Sequence, residues 1–345
     1  MVVGTTPQVI QFGDGSHFLP AVVAVDKGTK HVGHTAIARA AMNPQNAVLG
    51  VKRFLGRPAS DQLAMQIASR SGVAVAPRED GGIAFQIGKE TLTPEDIAGA
   101  LLAQVVDMVT KTTGAPPDAA MLTTPYWFGP SQRQALKVAA QQAGLRALQV
   151  MSDGTAIALS LATAELEQRC SAIVDVGAGG CSVSILELGP ERVALLANAG
   201  ARDGGGDDMD HEIVRAMIKG LRDKYGEFPV YPAISELIRQ ACADLKRDLL
   251  SVETAQATIP FLPIGPGVSM QQVILQRRHL QALMVPSLER LRTACAEALK
   301  AASLAPENLD AVYVTGGLSQ VPLLRETVAS VLGQVTSRQL DIDGA

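Results

Sequence analysis

Apolar positions in this chain recur with two periods, and the alternation between them lays out its elements. Ile97, Leu101, Val105, Met108 and Val109 fall on one helical face, opened by Thr93-Pro94-Glu95-Asp96 and closed by Gly114. That opening supplies an N-cap, an N1 proline and first-turn acids. From there the pattern predicts a strand over 119–124, a helix over 131–143, a strand over 147–151 and a helix over 155–167. This βαβα order, with apolar strands and short connections, argues for a mainly parallel sheet covered by helices. Upstream, extended segments over 8–12 and 19–25 are separated by Gly13-Asp14-Gly15, which suggests a hairpin, and 72–90 reads as small strands.

The hydrophobic pattern is sharpest over 171–189, SAIVDVGAGGCSVSILELG. An apolar run ends on Asp175, a glycine-dense turn follows, and an alternating run through Val183, Ile185 and Leu188 leads away, which reads as a β-hairpin. Such a turn fits an ordinary hairpin and equally a phosphate loop, because little Cβ bulk lets backbone N–H groups approach an anion. A carboxylate at the strand end can hold a hydrated magnesium ion. Beyond it come a strand over 192–198, the glycine cluster ARDGGGDDMD, and an amphipathic helix marked by Met209, Ile213, Met217 and Leu221. A glycine-rich segment opening a helix can present N–H groups to an anion, or simply cap the helix. Pro232 opens a further helix with Ile234, Leu237, Ile238, Ala241, Leu245 and Leu249 inward and Lys246 and Arg247 on the other side. Strands over 257–262 and 268–275 follow, then a helical segment over 279–302 in which Pro286 predicts a kink or a break. A strand over 311–314 runs into Thr315-Gly316-Gly317 and a last helix over 322–332.

Composition narrows the class. With 345 residues, 47 % of them hydrophobic, the chain has enough apolar material for two core-bearing lobes. Its four cysteines show no CxxC or Cys/His ligand spacing, which argues against a disulfide framework or a zinc site. A net charge of −4 without charge blocks implies no nucleic-acid or anionic-membrane surface. No apolar run spans a bilayer, and a cytoplasmic protein is the expectation. Lys52, in NPQNAVLGVKRFLGR, sits among apolar residues, where a lysine either snorkels or serves a phosphate.

Five stretches in order resemble the nucleotide-binding domain of the seventy-kilodalton heat-shock chaperones (DnaK-type), within the actin/hexokinase-like ATPase superfamily. They are GTTPQVI, NPQNAVLGVKRFLGR, TTPYWFGPSQRQALKVAAQQAGL with DGTAIAL, IVDVGAGGCSVSILELG, and VYVTGGLSQVPLLRETV. The resemblance implies a two-lobe α/β fold of the actin-like/hexokinase-like type, with mixed, largely parallel sheets and a nucleotide cleft between the lobes. Lobe I would cover 1–169, with a small subdomain near 21–92, and lobe II 170–345, with a small subdomain near 204–288. By resemblance, Lys52 orients the attacking water and the γ-phosphate, Asp153 stands beside that water, and Asp175 is the magnesium-side aspartate. Gly177, Gly179 and Gly180 match the second phosphate loop, and Gly205, Gly206 and Asp207 the ribose/phosphate loop. Lys246 and Arg247 match the adenosine helix, Gly316 and Gly317 the second adenosine turn, and Pro125 and Arg133 an interlobe switch. ATP or ADP with Mg2+ is the implied ligand, and a co-chaperone or other protein the implied partner.

The departures are as specific. Asp153-Gly154 replaces a Glu-Pro pair, Gly180 a threonine, Ser182 a second cation-site aspartate, Ala243 a glutamate, Leu318 a serine and Gln320 an adenine-stacking arginine. The family's first phosphate loop would fall before Met1 and its peptide-binding half after Leu332, so lobe I is expected to keep an unpaired sheet edge. Each lost charge-assisted contact costs roughly 1.5–3 kcal/mol, so nucleotide binding is expected to outlast hydrolysis. The expected function is ATP binding with slow or residual hydrolysis linked to protein folding. Two other classes stand beside it: a degenerate nucleotide sensor or scaffold working through a partner, and a sugar or acetate kinase of the same superfamily, which shows no acceptor signature here.

Overall fold

The computed structural model describes residues 2–3, 6–7, 9–11, 15, 17–162, 169–189, 192–249, 251–264, 267 and 269–336. The chain divides into two compact units, one of residues 1–124 and 128–151, the other of residues 125–127 and 152–345.

In the first unit, β1 (Val2–Val3) and β2 (Thr6–Pro7) form a minimal antiparallel pair. Next come β3 (Val22–Asp26), β4 (Thr29–Val32), α1 (His34–Met42) and β5 (Ala47–Leu49), which give a three-stranded antiparallel sheet with β3 central and α1 packed on it. A 3-10 turn, Val51–Arg53, leads on to α2 (Gln62–Ser71) and a second antiparallel sheet, β6 (Ala74–Pro77), β7 (Ile83–Ile87) and β8 (Glu90–Leu92). The helix α3 (Pro94–Thr113) begins and ends where its signals place it, with Thr93 and Asp96 closing a capping box and Gly114 in the left-handed conformation at the C-cap. The strand β9 (Ala119–Thr124), the helix α4 (Pro130–Gln142) and the strand β10 (Arg146–Ser152) complete the unit, β9 pairing with β10.

The second unit opens with α5 (Asp153–Ala162) and is built on one sheet. Its order is β13 (Val193–Ala201), β12 (Cys181–Leu188), β11 (Arg169–Val176) and β16 (Ala311–Thr315). The strand β11 reads as a continuous apolar run because both of its faces are covered. Ala172, Val174 and Val176 face the large core, while Ile173 joins Leu186, Leu188 and Tyr313 under Ala158 and Leu161 of α5. Four further helices and a hairpin share the large core: α6 (Gly206–Tyr225), α7 (Pro232–Asp248), β14 (Thr254–Leu262), β15 (Ser269–Gln276), α8 (Arg277–Ala302) and α9 (Pro322–Leu332).

Three expectations change. The sheets are mixed, with much antiparallel pairing: β11 and β16 run parallel, while β11–β12, β12–β13, β14–β15 and, in the first unit, β1–β2, β3–β4, β3–β5, β6–β7 and β7–β8 are antiparallel. Hairpins supply most of the antiparallel pairs, among them the one read from the sequence over 171–189. The helix α8 passes Pro286 without a break, since its buried stripe runs on from Met284 to Leu288 and the proline sits on the exposed side. Burial there outweighs one lost backbone bond. In the second unit α5 packs on the sheet, and residues 152–162 belong to that unit. In the opening segment, residues 9–11 have no regular structure, and the strand expected over 19–25 begins only at Val22, after Pro20. Residues 8, 12–14, 163–167 and 341–345, which carry other expectations, lie outside the described residues.

Candidate functional site

Three backbone turns of the second unit converge on Asp175. The first is the β11–β12 turn, where Gly177 N–H donates to Gly180 O at 3.0 Å. The second is the entry to α6, where Gly206 N–H donates to Gly177 O at 3.0 Å and Asp207 N–H to Ala178 O at 2.9 Å. The third follows β16, where Leu318 N–H reaches Val176 O at 3.4 Å. The register puts Asp175 opposite Ser182 on β12 and Thr315 on β16, so the three turns leave the sheet at one end.

The glycines in these turns divide into two kinds. At Gly180 a Cβ would land on the Ala201 carbonyl, and at Gly205 on Gly180 N and Ala178 O. Gly316 has φ +87°, and its Cβ would lie 2.6 Å from Asp175 Oδ1. These three are required by packing of backbone on backbone. Gly177 and Gly317 are different: neither has a positive φ, and a Cβ on either would meet nothing within 4 Å. The fold makes no demand for glycine at either position. At Gly180, where the resemblance called for threonine, the close packing on β13 has no room for that side chain.

In this cradle the N–H groups of Gly206 and Asp207 donate to the Gly177 and Ala178 carbonyls, which is the capping role of the two that the glycine cluster left open. The same helix end is closed by Asp208, whose Oδ2 accepts from Gly204 N–H at 2.9 Å.

Lys246 and Arg247 part company. Lys246 is half-buried and paired with Asp210 of α6 at 2.5 Å, while Arg247 is exposed and paired with Asp244 at 3.2 Å. Lys246 therefore does not share the outer side of α7 with Arg247, because successive helical residues are about 100° apart. Nearby, Arg239 forks onto Glu236 at 2.5 and 2.7 Å, and this pairing, against burial and with help from Asp210 and Asp207, raises the guanidinium pKa. Asp210 was not foreseen. It lies 36 residues from its partner, and no local spacing marks it. Leu318 is buried in the core, whereas Gln320 is exposed.

Asp153 is the first residue of α5, whose end is held by Ser152: Thr155 N–H donates to Ser152 Oγ at 3.2 Å. The glycine beside it has a steric cause, since a Cβ at Gly154 would strike Ser184 Oγ, which donates to Asn198 Oδ1 at 2.6 Å. Ser184, held by Asn198, occupies the space that any side chain at 154 would need.

Lys52, Arg133 and Pro125 are the predicted residues that remain. Lys52 is exposed in its 3-10 turn, entered through Gly50 at φ +61°, while Val51, Phe54 and Leu55 around it are buried. Arg133 ties the residues before α4 to β10: its Nε donates to Phe128 O and its Nη1 to Val150 O, each at 2.9 Å. Pro125 is buried directly after β9. All four cysteines are free, and burial pushes the Cys242 and Cys295 thiols up to about 12. Among the described residues no helix is long and apolar enough to cross a membrane.

A protein-family model described as "Hsp70 protein" matches residues 1–345. Among curated proteins, the chain is 30 % identical over 344 residues to a chaperone protein DnaK of Thermus thermophilus, covering 99 % of this chain and 56 % of that one. It is 31 % identical to the DnaK protein of Cyanophora paradoxa (99 % and 55 %) and 30 % identical to an HscA homolog of Acidithiobacillus ferrooxidans (99 % and 54 %). The chain thus spans about half the length of the curated relatives it matches.

Proposed function

The chain belongs to the Hsp70 family, and from that premise we propose that it binds ATP and ADP with Mg2+ and hydrolyses ATP slowly in a chaperone-type role. The observation that carries this reading is the pair Gly177 and Gly317, glycines that no packing or backbone constraint requires, on turns that meet at Asp175. Backbone at such positions can lie against phosphate and nucleoside.

The donor set suits magnesium held mainly by nucleotide. Asp175 faces Ser182 rather than a second acid, and among the described residues no group of three or more metal-ligating side chains occurs. Magnesium commonly takes one or two carboxylates and completes its shell with phosphates and water. When bound, it would neutralise phosphate charge, and Asp175 would be the side chain that helps to hold it. We assign Lys52 to the attacking water and γ-phosphate, and Asp153 to the proton side of that water. Hydrolysis to ADP and phosphate then rests on positioning and charge rather than on a covalent intermediate. Gly180 and Ser182 remove a hydroxyl and a carboxylate that the family pattern has, which is the reason for the slow rate.

Calorimetric titration with ATP and ADP, with and without Mg2+, followed by single-turnover hydrolysis, tests the reading. Binding strengthened by Mg2+ is expected, and Lys52→Ala should abolish turnover while leaving affinity within about tenfold. Absence of binding to either nucleotide would refute it.

A further inference from the structure

A cavity of about 520 Å3 opens in the second unit between α6, β15 and the first turns of α8, and it shares no residue with the glycine cradle. Its floor is Ile213 and Leu221 of α6 with Val273 of β15, all buried in the core. The size falls within the roughly 300–1,000 Å3 of small-molecule sites.

Gly220 gives an independent reason to regard this groove as more than a packing fault. It lies inside α6, has no positive φ, and a Cβ on it would meet nothing within 4 Å. An interior helical glycine costs about 1 kcal/mol relative to alanine, yet neither conformation nor crowding calls for one. What the missing side chain does is keep the groove wide, together with Ala216 one turn earlier and Ala282 opposite on α8.

The charge at the groove has one sign. Lys224 and His279 line it, and among the described residues no carboxylate does. The acids flanking Lys224 in sequence are committed elsewhere, Asp223 to Lys219 at 2.6 Å and Glu227 to Arg222 at 3.1 Å. The Lys224 ammonium rests 4.8 Å from the centre of the Tyr225 ring, a second lining residue. An apolar trough ended by an ammonium and an imidazole complements a ligand with an apolar chain and an anionic head.

We propose that this groove binds an amphiphilic carboxylate, its chain along Ile213, Leu221 and Val273 and its head at Lys224. The site is independent of the nucleotide reading. The test is calorimetric titration of the full chain with dodecanoate below its micelle-forming concentration, beside dodecanol and dodecyltrimethylammonium. Dodecanoate is expected to bind at least about tenfold more tightly than either, the effect of one charge-assisted contact in a partly dry site. Lys224→Met should bring dodecanoate down to the level of dodecanol. Gly220→Leu, which fills the trough, should weaken all three amphiphiles at least about tenfold, and Gly220→Ala should raise the melting temperature. Equal affinity for the three amphiphiles would overturn the anionic assignment. Unchanged binding in either Lys224→Met or a folded Gly220→Leu would overturn the site.

Discussion

The two units hold their critical turns by different means. In the second, the turns around Asp175 are joined backbone to backbone, with Gly180, Gly205 and Gly316 at the points of closest approach. In the first, the turns are tied by side chains: Asp96 accepts from Thr93 N–H at 2.8 Å and from Gln142 Nε2 at 3.1 Å, Gln132 accepts from Gly129 N–H at 2.7 Å, and Arg133 grips two carbonyls. A backbone-to-backbone contact leaves no room for an added atom at its points of closest approach and carries no proton to titrate. A turn tied by side chains accepts changes of shape and is open to titration.

The largest effect should come from adding one carbon to the cradle. Gly205→Ala is expected to destabilise the second unit by about 3 kcal/mol, because its Cβ has only backbone to displace. Gly177→Ala, in open space, should stay within about 0.5 kcal/mol while nucleotide affinity falls at least about tenfold. Urea denaturation of both, with nucleotide titration of the second, checks the division. Similar stability losses in both variants would erase it.

Next is Gly316→Ala, whose new Cβ would meet the Val176 carbonyl first and would also lie 2.6 Å from Asp175 Oδ1, the side-chain atom that has to give way. A loss of about 2 kcal/mol is expected from crowding and the left-handed φ. Because the displaced atom is a proposed magnesium-side oxygen, the Mg2+ enhancement of ATP binding should shrink as well. Full retention of that enhancement would separate the cradle from the metal.

In the first unit, Arg133→Ala should cost about 1.5–3 kcal/mol, the value of hydrogen bonds from a charged donor. Urea denaturation measures it. Lysine, a point charge without the planar fork, should recover less than half of the loss. Full rescue by Arg133→Lys would mean that charge alone matters there.

The smallest effect is the one that depends on pH. Burial pushes the Asp96 carboxyl up, but bonds from the Thr93 N–H and hydroxyl, the Lys30 charge and Gln142 outweigh it and hold the pKa below the usual carboxylate value. A lowered folded-state pKa means stability present above the unfolded value and lost as pH falls through the folded one. Asp96→Asn should therefore cost about 1 kcal/mol near neutrality and little in acid, below the ordinary carboxylate range. A difference that does not change with pH would assign the loss to shape.

Much of this was legible in sequence, and the physical reason is range. The ends of α3, the strand β9, the helix α9 and the hairpin of β11 and β12 each follow from signals within a few residues: a cap, a proline, a glycine, a period of two or of about 3.6. Asp175 and its glycines were visible as candidates for the same reason. Sheet direction was not, because whether neighbouring strands run parallel depends on which distant segment arrives beside them. The strand β16, far along the chain, is the one that pairs parallel with β11. Nor could sequence distinguish Gly180, Gly205 and Gly316, fixed by crowding, from Gly177 and Gly317, which face open space, since the letter is the same and only the neighbours differ. The Asp210–Lys246 pair and the Ser184 hydroxyl that excludes a side chain at Gly154 likewise exist only once separate elements meet. Local chemistry wrote the elements and the residue types of the cradle. Which backbone atoms touch, and so which glycines the packing requires, was decided by the meeting of segments far apart in the chain.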